Sequence, residues 1–285
     1  MLSAQKGGEI VGNFIQAHVP IKEELYKVEM VLKSIGKNIT ATSSQDIFDH
    51  FFRIPGKYLR PTLVLLCSNA INPNLTIHQK EQLVHLSVAV ELIHSASLIH
   101  DDIIDGDLFR RGQETLNNVY ERKIAVLAGD TLYAKAFSIL SNYLPRESEQ
   151  IITQVIEKMC VAEIDQARER EMSQQNYFGI IEGKTALFMS ACCKLGAVLT
   201  AGGSEDISAL EDYGLNFGMV YQIIDDCIDN DPNASNNVTI ENAKQFAEKA
   251  MASIETLKPT QYKQGLIDLL NYILSFSQAV ATKSN

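Results

Sequence analysis

Two short clusters of acidic residues hold the chemistry this sequence is equipped to do. The first is Asp101, Asp102 and Asp105 in SLIHDDIID; the second is Asp225, Asp226 and Asp229 in YQIIDDCID. Each closes a long apolar run that reads as a helix. Residues four apart share a helix face, so Asp101 points with Asp105 and Asp225 with Asp229. Two carboxylates beside apolar surface repel each other unless a cation or basic group offsets their charge. A carboxylate pair that leaves coordination positions open for water and phosphate oxygens suits Mg²⁺. Two such pairs facing each other would hold a metal-bridged diphosphate.

Basic residues answer the acidic ones. Lys57 and Arg60, in PGKYLRP, are three apart. They are expected to share a face at a helix start, where backbone N–H groups also favour anions. Pro61 suits that position. Arg110 and Arg111 fall in a polar loop just after the first acidic cluster, and Arg forks bind phosphate oxygens bidentately. One diphosphate held by these cations needs no metal. Lys184 and Thr185, in EGKTALF, set another cation and a hydroxyl beside an apolar helix. Singly, each has an ordinary explanation: a solvated Lys-x-x-Arg face, an acidic helix end, a satisfied core histidine at His94. The combination points to anion chemistry.

The elements that must position these groups are helical. Strand alternation is nearly absent, and from His78 to about Asp105 apolar residues wrap almost the whole circumference, as in the centre of a bundle. Similar stretches run near Lys123–Tyr143, Ser148–Arg168, Gly179–Thr200 and Ser208–Asp229. Breakers separate them at Asn72-Pro73-Asn74, Gly106 through Gly112, Pro145, Gly202-Gly203 and Asp231-Pro232-Asn233. Thr76 and Ser148 read as helix starts. The expectation over residues 1–285 is a single all-α domain of roughly ten helices with no linker.

Composition narrows the function classes. The 285 residues are 46% hydrophobic and 21% charged, ordinary for a globular protein. A net charge of -10 argues against a general nucleic-acid binder, though local basic clusters still accommodate anions. The stretch Leu83–Ile99 is interrupted by His85, Glu91 and His94, which marks a buried helix and not a membrane span. The start, MLSAQKGGEIVGNF, lacks the basic and apolar parts of a secretory signal, so a cytoplasmic location is expected. Cys67, Cys160, Cys192, Cys193 and Cys227 have no metal-ligand spacing and are expected to be small buried residues of a reducing compartment.

With these residues in order, the chain resembles the trans-isoprenyl (polyprenyl) diphosphate synthase family over roughly residues 50–230. GKYLRP is similar to the family's Gly-Lys-x-x-Arg-Pro motif, and ELIHSASLIHDDIIDGDLFRRG to its first aspartate-rich region. AVLAGDTLYAKAF, the Glu163/Gln166 segment, Tyr177 with EGKTALF, and YGLNFGMVYQIIDDCID follow in family order.

The resemblance implies an all-α helical bundle around a deep central cavity, paired as a homodimer or, alternatively, a heteromer. It implies that Asp101, Asp102 and Asp105 hold Mg²⁺ on an allylic diphosphate, with Asp225, Asp226 and Asp229 holding a further ion from the opposite wall. Arg110 and Lys184 would touch the same diphosphate. Lys57, Arg60, His94 and Arg111 would bind isopentenyl diphosphate. Thr185 and Gln222 would stabilise a carbon cation through their oxygens. Ala96 and Ser97 lie one turn below Asp101, where short-chain members tend to carry an aromatic floor; small residues there suggest an all-trans product longer than C20.

The sequence also departs from the family. The Gly-Lys, Asp-Leu and Gly-Lys-Thr-x-Pro stretch usual after the second aspartate motif is missing, and NDPNASNNVTIENAKQFAEKA follows instead. The missing stretch normally supplies a lysine and part of a lid, which opens the alternative of a heteromer subunit with little activity alone. Pro55, Tyr58 and Tyr221 are smaller departures. A terpene cyclase shares the ionisation chemistry but has no use for a second diphosphate site at Lys57 and Arg60. A lipid carrier or structural bundle would tolerate Asp101→Ala.

Overall fold

A computed structural model describes residues 14, 16–38, 45–168, 173–229 and 238–281. Twelve α-helices account for nearly all of them: α1 (Lys22–Asn38), α2 (Gln45–Phe51), α3 (Leu59–Ile71), α4 (Ile77–Asp105), α5 (Leu116–Val119), α6 (Arg122–Tyr143), α7 (Arg146–Arg168), α8 (Gln174–Ile181), α9 (Leu187–Leu199), α10 (Ser204–Asp229), α11 (Ile240–Ser253) and α12 (Gln261–Ala281). A short hairpin pairs β1 (Phe109–Arg110) with β2 (Gln113–Glu114). The all-α expectation holds. The chain forms two compact units, one drawn from Glu23–Thr62 and Lys80–Glu149, the other from Met1–Lys22, Leu63–Gln79 and Gln150–Asn285.

In the first unit the long helix α4 is the organising element. Leu83, Leu86, Val88, Ala89, Val90, Leu92, Ile93, Ala96 and Ile99 are buried all around it, as its apolar sequence requires. By length and composition α4 and α6 are long and apolar enough to cross a membrane, yet 67% of the α4 window is buried inside the protein. The helix stops at Asp105 because Gly106 takes φ +70, a left-handed stop that glycine adopts without steric cost. The polar loop expected at Gly106–Gly112 is instead the hairpin. Its two-residue turn, Arg111-Gly112, has φ +54 and +77, the pairing that matches strand twist. Thr115 ties it back, donating through Oγ1 to Asp107 O at 2.8 Å.

In the second unit α10 is the central element, with Leu210, Tyr213, Phe217, Val220, Ile223 and Ile224 buried. Two small residues four apart let other backbones approach it. A Cβ at Gly214 would meet Ser190 Cα at 2.7 Å, and one at Gly218 would meet Ala186 Cα at 2.5 Å. The α12 side is fixed by Tyr213, whose hydroxyl donates to Leu266 O at 2.7 Å. Thr239 and Asn242 form a reciprocal cap that starts α11.

Several boundaries differ from expectation. Thr76 does cap α4, exchanging bonds with Gln79. Ser148, however, lies inside α7, which begins at Arg146. The single helix expected over Gly179–Thr200 is three pieces: α8, a π-helical turn at Glu182–Ala186, and α9. Cys67, Cys192 and Cys193 are buried as expected, Cys227 is half-buried and Cys160 is exposed; all five are free thiols. The residues that take the place of the family's missing stretch begin at 230–237, outside the described residues, and the chain is described again from Val238 into α11.

Candidate active site

The last turn of α4 presents Asp101 half-buried, Asp102 buried and Asp105 exposed. Arg110, reached across the hairpin, donates from Nε to Asp102 Oδ1, and its Nη2 lies 3.8 Å from Asp107 Oδ2. Burial raises the Asp102 carboxyl above its ordinary range, an effect the adjoining Arg110 only partly offsets.

Beside this pair is a cavity of about 230 Å³ whose lining includes Arg53, Tyr58, Glu91, His94, Arg110 and Arg111. Arg60 is buried, 7% exposed. Burial drives His94 well below its usual value, and the charges of Arg60, Arg111 and Arg110 push it further down. At neutral pH His94 therefore meets an anion as a neutral hydrogen-bonding ring, not as a cation. Lys57 does not share a helix face with Arg60. The helix starts at Leu59 because Tyr58 takes φ +51, breaking the helical path, while its carbonyl accepts from Thr62 N and Oγ1, both at 2.9 Å. Lys57 thus stands in the loop ahead of α3.

The second cluster ends α10. There a chain of hydrogen bonds runs through four side chains. Thr185 Oγ1 donates to Gln222 Oε1 at 2.8 Å, Gln222 Nε2 donates to Asp226 Oδ1 at 2.8 Å, and Tyr177 donates its hydroxyl proton to Asp226 Oδ2. Close approach makes this chain: Gly218 seats α10 on the π-helical turn that carries Thr185. The same turn carries Lys184, whose Nζ lies 2.7 Å from Glu163 Oε2 and donates to Gln166 Oε1 at 3.3 Å. Gly183 lets α7 in, since a Cβ there would meet Ala162 Cβ at 2.7 Å. Such π turns are frequent where a helix must re-aim side chains for function.

Among the described residues no group of three or more His, Cys, Asp or Glu side chains is gathered as a ready metal cage. The donor set nevertheless fits Mg²⁺, which takes one or two carboxylates and completes its shell with water and phosphate oxygens. Asp102 is engaged by Arg110, and both oxygens of Asp226 accept from neighbours. The outer pairs, Asp101 with Asp105 and Asp225 with Asp229, carry the one-face geometry for an ion.

Below the first cluster Ala96 is fully buried, and Ser97 turns its hydroxyl back on the helix to His94 O at 2.9 Å. Residues assigned no role from sequence also matter here. Tyr177 and Glu163 lie within family-like segments whose motifs give them no task, and in sequence Glu91 only interrupts an apolar run. A carboxylate set between Val90 and Leu92 was the readable signal for the last.

The polyprenyl synthetase family model matches residues 42–241. This chain belongs to that family. Polyprenyl synthetase relatives include the short chain isoprenyl diphosphate synthase of Methanothermobacter thermautotrophicus, 33% identical over 208 residues, 70% of this chain and 62% of the relative. A prenyl transferase of Porphyra purpurea is 36% identical over 216 residues, 74% of this chain and 65% of the relative. The chain therefore spans less than two thirds of the length of these relatives. The polyprenyl synthase from Caulobacter crescentus, solved in complex with calcium and isoprenyl diphosphate, shares the fold at a TM-score of 0.82 and 21% identity, covering 95% of this chain and 99% of that one.

Proposed function

We propose that this chain is a Mg²⁺-dependent prenyltransferase that joins isopentenyl diphosphate to an allylic diphosphate, extending an all-trans polyprenyl diphosphate beyond C20. The observation that carries the reading is the matched construction of the two helix ends. In each Asp-Asp-x-x-Asp cluster the middle carboxylate is locked by its neighbours, Asp102 by Arg110 and Asp226 by Tyr177 and Gln222. The names of the relatives, a prenyl transferase and an isoprenyl diphosphate synthase, support the same class.

In this reading Arg110 and Lys184 hold the allylic diphosphate, and Lys57, Arg60, Arg111 and neutral His94 hold isopentenyl diphosphate. The allylic C–O bond breaks, leaving a carbon cation and a diphosphate. Mg²⁺ held by Asp101 with Asp105 and by Asp225 with Asp229 would neutralise charge on the leaving group. The Thr185 and Gln222 oxygens stabilise the cation, the double bond of isopentenyl diphosphate attacks it, and the proton lost goes to the departing diphosphate. The opposed placement of the two clusters across one diphosphate is part of the proposal, as are a homodimeric assembly and a cytoplasmic location. Product length rests on Ala96 and Ser97 alone, since the names of the relatives run from short chain and geranylgeranyl to decaprenyl diphosphate synthases. The missing stretch after Asp229 favours a second reading, a catalytic subunit that needs a partner.

Release of diphosphate tests the class. With Mg²⁺ and both substrates, one diphosphate should appear per bond formed, and none from the allylic substrate alone. Equal release without isopentenyl diphosphate would make the protein a cyclase and overturn the reading.

A further inference from the structure

Glu91 is a buried carboxylate with an unusual set of neighbours. It is 6% exposed, and its Oε2 makes no hydrogen bond to any described residue. Its Oε1 lies where a Cβ on Gly56 would come within 3.0 Å, and Arg111 Nη1 lies 3.5 Å from the same point. The Gly56 loop therefore closes directly over the carboxylate and the Arg111 fork. The charges of Arg60 and Arg111 act on Glu91, and Glu91 and Arg111 line the cavity described above.

We propose that Glu91 is a positioning residue that takes up a proton when a diphosphate docks on Arg60 and Arg111, removing its own negative charge from beside the ligand. The inference rests on the diphosphate reading of this cavity and adds a proton to the binding step. An incoming anion places negative charge beside a carboxylate that burial already disfavours, so the neutral acid becomes the stable form. Burial raises Glu91 to about 7, with Arg60 and Arg111 pulling it down, so near neutrality the group is poised between its two forms.

Lys33, His50, Arg53, Asp102 and Glu114 line the same cavity. Tyr58, pushed to about 12 by burial and then by Glu91 and Glu29, stays protonated. Arg60, Arg110 and Arg111 stay charged. His94, on the same helix, is held neutral by burial and the neighbouring arginine charges.

Calorimetric titration of the full chain with inorganic diphosphate, in buffers of different ionisation enthalpy, counts the protons taken up. Protonation of diphosphate itself is common to wild type and Glu91→Gln, so the difference between the two reports Glu91. At pH 7 wild type should take up about half a proton more than the variant, and its affinity should fall up to tenfold per pH unit above 7 relative to the variant. Difference infrared spectra of wild type alone should gain a protonated carboxylic acid band on adding diphosphate, a readout that does not depend on the variant folding. Equal proton counts, or no new acid band, would overturn the proposal while leaving the diphosphate site intact. No binding of diphosphate to wild type would overturn the site itself, and the proposal with it.

Discussion

Tyr177 and Asp226, far apart in sequence, meet through the tyrosine hydroxyl, which donates to Asp226 Oδ2 while Gln222 donates to the other oxygen. The contact fixes the middle carboxylate of the second cluster from α8. It links a residue with no recognisable catalytic chemistry to the group beside the pair proposed to hold Mg²⁺. Tyr177→Phe should lower stability by about 1–2 kcal/mol, read from urea unfolding, because Asp226 loses a donor in a half-buried setting. Activity should fall together with the affinity for Mg²⁺-diphosphate.

Gly218 has no room for a side chain. Gly218→Ala should destabilise the protein by about 1–3 kcal/mol as the π-helical turn is pushed from α10. It should also cut kcat by separating Thr185 from Gln222. Gly179 is the control: a Cβ there meets nothing within 4 Å, and Gly179→Ala in helix α8 should be neutral or stabilising by up to about 1 kcal/mol. Equal effects from the two substitutions would remove close helix approach as the cause.

Lys184 and Glu163 are both largely buried, at 25% and 16% side-chain exposure. Lys184→Met leaves Glu163 without its cation, and stability should fall by about 2 kcal/mol. If Lys184 also clamps a diphosphate, kcat should drop on the order of a hundredfold with little change in the KM for isopentenyl diphosphate.

The Glu91 carboxyl, at about 7 when folded against a reference value of 4.5, makes stability pH-dependent. A raised carboxyl binds more protons in the folded state, so its contribution is fully present below 4.5 and is lost as pH rises through 7. Glu91→Gln removes that loss. Relative to wild type, the variant should gain on the order of 3 kcal/mol between pH 4.5 and 8 in chemical denaturation.

Ala96 is fully buried one turn below Asp101. An Ala96→Phe variant should shorten the product if a growing chain passes there, and an unchanged length distribution would refute the open tunnel.

Long elements and acidic helix ends were legible in the sequence because apolar periodicity is local: α4 and α10 end on the expected aspartates. The hairpin was not, because an Arg-Gly turn between two-residue strands leaves no alternation to count. The π-helical turn escaped for a related reason: Glu182–Ala186 keeps a helical composition, and only packing against Ala162 and Gly218 re-aims it. Lys-x-x-Arg spacing reads as one helix face, whereas the positive φ of Tyr58 that leaves Lys57 ahead of the helix is a tertiary matter. Tyr177 and Glu91 act through partners distant in the chain, beyond the reach of spacing.

Elongation of an allylic primer is the direct measure of prenyl transfer. The purified chain is incubated with Mg²⁺, radiolabelled isopentenyl diphosphate and allylic primers of increasing length, and the products are sized. Labelled products longer than C20 should form, and should vanish in Asp101→Ala and Asp225→Ala. Failure to elongate any primer, even at high protein concentration, would contradict the enzyme acting alone.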